Sequence, residues 1–259
     1  MLEIMLSNAE KKHDFLKITL VGLLISLGLG FINSFLGEIS IFLVAFISLA
    51  LSYPVTKYLR DIEKVNPDKI LNKSFLKSYE SEIGVFLALF ISIVFGMYVS
   101  NVMGFTTDFS YEQSFVSSLE GNLTNFTSGL FSQIFFNNLF VAFNTFIISA
   151  LFFSGLIFVV IWNASILAYY LYSLNSHAGA LIVGLNVLVH ALLEISGYVL
   201  AGILGAILSY RFSIYYFGYG GFDELNRKKV LNKSFFRDCF ILLLFSIFFI
   251  LLGAIIEVL

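Results

Sequence analysis

His190 and Glu194 stand four residues apart in VHALLEISG. On a continuous helix that spacing puts imidazole and carboxyl on one face, close enough to share a proton or hydrogen bond. Two readings follow. The pair is either a proton-linked or ligand-holding site open to the outer side of a membrane, or a hydrogen bond that pins a re-entrant turn to the helix that follows. Asn137, Asn138, Asn144 and Asn163 form a second polar set in otherwise apolar runs. Buried amides glue helices together in hydrocarbon, and convergence of these four near His190 and Glu194 would make a polar chamber. Glu38 is a further candidate, at the end of an earlier apolar run. His190 and Glu194 supply two ligands, too few for a zinc site. No HExxH pattern and no Ser-His-Asp order is present, so neither a metal, a cofactor nor an enzymatic activity is expected.

These residues need elements to hold them, and composition says which. The chain has 259 residues, 59% hydrophobic and only 12% charged, with a mean hydropathy of +0.92. Soluble domains are about 25% charged, so lipid is the expected solvent, and no nucleic-acid partner is expected. The lone Cys239 excludes an internal disulfide framework. A bilayer core of about 30 Å requires roughly 20 apolar residues as a helix. On that scale the chain reads as an all-α, polytopic transmembrane helix bundle. Spans fall near 15–35, 40–58, 83–103, 133–153, 156–174, 194–210 and 236–257. The glycines and polar residues of 175–193 suggest a re-entrant segment near 178–192, broken from the span that follows. Three units result: 1–103, an outer amphipathic connection over 104–132, and 133–259.

All 15 Lys and Arg fall in three places: Lys11 to Lys17, Lys57 to Lys77, and Arg211 to Arg237. Basic residues stay on the cytoplasmic side. The N-terminus and both basic loops are therefore expected inside a cell membrane, the 104–132 connection and the C-terminus outside. Glu194 precedes Arg211 by a helical distance of about 25 Å, which sets it toward the outer boundary.

The chain also echoes itself. FLGEIS, LSY and LNKSF follow in order from Phe35, and LLEIS, LSY and LNKSF follow in the same order from Leu192. Ordered landmarks at matched spacing suggest duplication of a helical hairpin with a basic anchor, in which Asn72 or Ser74, and Asn232 or Ser234, cap a helix start.

IFFNNLFVAFNTF (134–146), the Trp-Asn-Ala at Trp162 to Ala164 and VHALLEISGYVLAGILG (189–205) together resemble the stage II sporulation protein M family. The match falls on Asn137, Asn138, Asn163, His190, Glu194, Gly202 and Gly205, while Val189, Ala164 and Ala191 depart from it. The resemblance implies a multi-pass membrane protein that is a partner in a cell-envelope machine and is not itself its hydrolase. The expected function is a scaffold or partner in an envelope membrane complex, binding the lipid bilayer and assembling with a second copy or other envelope membrane proteins. The alternative is a small ion- or proton-coupled transporter or channel using an outward-facing His/Glu/Asn polar chamber.

Overall fold

A computed structural model describes residues 20, 22–28, 31, 75–104, 130–152, 155–174, 180–217 and 230–258. Among the described residues the protein is all-helical. A short segment, α1 (22–28), is followed by α2 (Phe75–Val102), α3 (Leu130–Phe152), α4 (Gly155–Ser173), α5 (Ala180–Phe217) and α6 (Lys233–Val258). Hydrocarbon offers no partner for a free N–H or C=O, so each apolar run closes its hydrogen bonds within its own helix. Among the described residues, five helices are long and apolar enough to cross a membrane: Ile83–Val102, Leu130–Leu151, Gly155–Ser173, Gly184–Phe217 and Lys233–Val258. The expected spans at 83–103, 133–153, 156–174 and 236–257 coincide with four of these. The 15–35 span contains α1, whereas 40–58 and most of 104–132 lie outside the described residues.

One expectation is overturned. The break near 192–194 does not occur, because Ala180–Phe217 is a single helix of 38 residues, about 57 Å long. Glycines in a helix cost about 1 kcal/mol each, whereas opening the backbone in hydrocarbon strands groups worth several kcal/mol each. The segment contains no proline to force the issue. Its glycines serve instead as points of close approach.

Helix α5 is the centre of the bundle, with 67% of an 18-residue apolar stretch of it buried against 22% of the like stretch in α3 and 33% in α6. Directions follow from matched contacts. A Cβ on Gly184 would touch Leu171 and one on Gly202 would touch Leu156, so α4 and α5 run antiparallel. Ser246 Oγ donates to the Gly197 carbonyl at 2.7 Å, and Arg211 lies 4.2 Å from the Phe235 ring centroid, so α5 and α6 are antiparallel too. Asn138 meets Tyr198 while Phe146 and Ala150 meet Gly205, which makes α3 parallel to α5. Gly22 faces Ser92, and Gly96 faces Ser26, so α1 and α2 are parallel.

Helix ends obey ordinary capping chemistry. Asn232 Oδ1 accepts from the Phe235 N–H at 2.8 Å, so Asn232 is the cap of α6 anticipated from LNKSF. The equivalent Asn72 lies outside the described residues. Gly104 closes α2 with φ of 81°, a left-handed conformation that glycine adopts without a Cβ penalty. At the expected inner boundary Arg211 is buried, donates from Nη1 to the Val230 carbonyl at 3.1 Å and stacks on Phe235.

Candidate functional site: a polar brace between three helices

The residues that carry chemistry gather where α3, α5 and α6 meet. Asn138 is buried on α3 and donates from Nδ2 to Glu194 Oε1 on α5. One turn further along α5, Tyr198 Oη donates to Asn138 Oδ1 at 2.9 Å. On its other side Glu194 comes within hydrogen-bonding reach of Glu257 on α6. A hydrogen bond between two carboxyls requires one proton between them. The result is a chain from phenol to amide to carboxyl to carboxyl that crosses three helices.

Backbone packing makes room for it. A Cβ on Gly253 of α6 would lie 2.7 Å from Glu194 Cγ and 3.3 Å from the His190 carbonyl. Only a residue without a side chain lets α6 come this close to α5 at the level of the carboxyl. Tyr198 is nearly fully buried, so its hydroxyl needs a partner, and the amide of Asn138 provides one.

The expected polar residues divide. Asn138 and Glu194 come together. His190 does not form the organising pair with Glu194: its ring hydrogen-bonds the Asn186 carbonyl one turn back, and Glu194 is directed across to Asn138 and Glu257. Both share a helix face as their spacing requires, but a carboxyl finds better-placed donors on neighbouring helices than on its own. Asn144 and Asn163 turn back onto their own helices, donating to the Phe140 carbonyl at 2.9 Å and the Val159 carbonyl at 2.8 Å. Asn137 is exposed on the outward face of α3. The four asparagines therefore do not converge on one chamber. Trp162 packs as expected, stacked on Phe158 with ring centroids 6.4 Å apart. Glu38 lies outside the described residues.

Tyr198 and Glu257 belong to the cluster and were not among the expected residues. Tyr198 follows Glu194 at the same four-residue spacing that drew attention to His190. Glu257 lies near the end of α6, which runs antiparallel to α5 and so brings it level with Glu194. Among the described residues, no three His, Cys, Asp or Glu side chains gather as a metal-binding group. The arrangement is suited to bracing helices through satisfied hydrogen bonds.

No curated protein and no solved structure matches the chain. The family model of stage II sporulation protein M matches residues 85–259. That stretch takes in α2 from Val85 onward as well as the whole brace, and so reaches further toward the N-terminus than the Asn, Trp-Asn and His-Glu landmarks. The protein is thus a membrane protein belonging to the stage II sporulation protein M family.

Proposed function

We propose that this protein is a non-enzymatic scaffold, a multi-pass partner that holds other envelope membrane proteins in one assembly. The observation that carries the reading is the brace itself. Asn138, Tyr198, Glu194 and Glu257 spend their polar groups on one another across three helices, the economy of a rigid platform. Kinship with membrane partners of a cell-wall-remodelling machine supports the same reading.

The orientation is part of the proposal. Seven crossings carry the chain from a cytoplasmic N-terminus to an outer C-terminus: 15–35, 40–58 and the five long helices. With α5 as one crossing, the basic patches at Lys57 to Lys77 and Arg211 to Arg237 face the same leaflet. Parallel packing of α1 and α2 supports this, since the chain must return to its starting side before Phe75. Lys73→Cys and Lys228→Cys, each in a Cys239→Ser background, should resist a membrane-impermeant maleimide in intact cells while Thr124→Cys reacts. Reaction of one of the two basic-loop cysteines alone would reject the arrangement.

The functional test is affinity purification after crosslinking in native membranes, paired with reconstitution into liposomes. A stoichiometric envelope membrane protein should co-purify, and the liposomes should hold a pH gradient as well as empty ones do. Gradient loss that disappears with Glu194→Gln would overturn the scaffold reading in favour of transport.

A further inference from the structure

The outward face of α3 carries a pattern that the brace does not use. Asn138, Ala142, Thr145 and Ser149 are buried toward the bundle. On the opposite side, Leu130, Asn137, Asn144 and Leu151 recur every seven residues, with Gln133, Phe140 and Ile147 interleaved after each of the first three. These are the a and d positions of a heptad seam. All seven are exposed or half-buried, with Phe140 64% and Leu151 67% exposed. Two consecutive a positions are asparagines. Asn137 has no partner among the described residues, and Asn144 uses one N–H on its own helix, leaving its Oδ1 to accept.

Lipid tails cannot satisfy a carboxamide, so amides on an outward helical face draw another helix onto it. From this we infer that α3 pairs in parallel with α3 of a second copy of the chain, with Asn137 and Asn144 each meeting its own counterpart across a two-fold axis. The inference rests on the scaffold reading and names the surface through which the platform doubles. Three features select a second copy over another protein's helix. A carboxamide is both donor and acceptor, so it complements itself. Copies inserted in one membrane share one orientation, and a two-fold axis along the membrane normal brings α3 parallel to itself in register. A seven-residue repeat keeps its seam in contact only with a helix of the same repeat, and polar residues at a positions fix that register.

Single cysteines placed along α3 in a Cys239→Ser background, oxidised in native membranes, test this directly. Disulfide-linked dimers of twice 29.1 kDa should form most strongly with Asn137→Cys and Asn144→Cys. They should form more weakly with Phe140→Cys and Ile147→Cys, and not with Asn138→Cys, Ala142→Cys or Thr145→Cys. Dimer yields without this seven-residue rhythm would overturn the seam, as would an intrachain link from Asn137→Cys to a cysteine placed within 40–58. As a second measurement, replacing each asparagine pair by alanine should weaken dimerisation in detergent by about three- to thirtyfold; an unchanged dissociation constant refutes the role given to the amides. Co-purifying partners without self-crosslinks would remove the seam and leave the scaffold reading standing.

Discussion

Gly205→Ala is expected to be among the most damaging small substitutions in this protein, lowering the thermal midpoint in detergent by about 6–12 °C. The new Cβ would run into the Phe146 carbonyl oxygen and lie 3.1 Å from the Ala150 backbone nitrogen of α3. Side chains can rotate away from an intruder, but a helix backbone cannot, so α3 and α5 must separate along the line that also carries Asn138 and Tyr198. Overpacking of a well-filled core costs about 1–3 kcal/mol, and a backbone obstruction belongs at the upper end. Gly28→Ala is the matched control. Nothing lies within 4 Å of a Cβ there, so the better helix propensity of alanine should leave stability unchanged or raise it by up to about 1 kcal/mol. Equal midpoints for the two variants would show that α3 and α5 are not in backbone contact at Gly205.

Glu194→Ala is expected to cost about 2–4 kcal/mol. The change removes the acceptor for the buried Asn138 amide and the partner of Glu257 together, leaving polar groups unpaired between packed helices. Glu194→Gln should cost under about 1 kcal/mol, because a carboxamide of the same length can accept from Asn138 and donate to Glu257. The contact itself is read from a cycle. Asn138→Ala and Glu194→Ala together should cost less than the sum of the two by about 1–2 kcal/mol, measured by reversible unfolding in mixed micelles. Strict additivity would mean that the two side chains do not touch. His190→Ala combined with Glu194→Ala should be close to additive, since His190 is held by the Asn186 carbonyl of its own helix.

The two variants probe different kinds of specificity. Gly205 sets how near two helices come, whereas Glu194 sets which polar groups face each other once they are near. The proposed scaffold role would call on both, because a partner docking on the outer surface is held only as firmly as the helix it touches. Helix α3 joins the two roles, with Asn138 turned inward to the brace and Asn137, its chain neighbour, turned outward.

That neighbouring pair also marks the boundary between what residue order decides and what packing decides. The sequence by itself determined that the chain is a membrane-embedded helical protein, where four of the five long described helices lie, and that the last of them starts at LNKSF, with Asn232 or Ser234 as its cap. Each of these follows from local quantities: apolar run length, the placement of basic residues and capping chemistry. Tertiary structure alone decided that 180–217 is one helix, that Tyr198 and Glu257 complete the brace, and that Asn137 faces away from it. Whether a glycine breaks a helix or seats a neighbour, and whether an amide meets a carboxyl or its own backbone, depends on what stands opposite it. Opposite residues lie tens of positions away in the chain, and residue spacing carries no record of them.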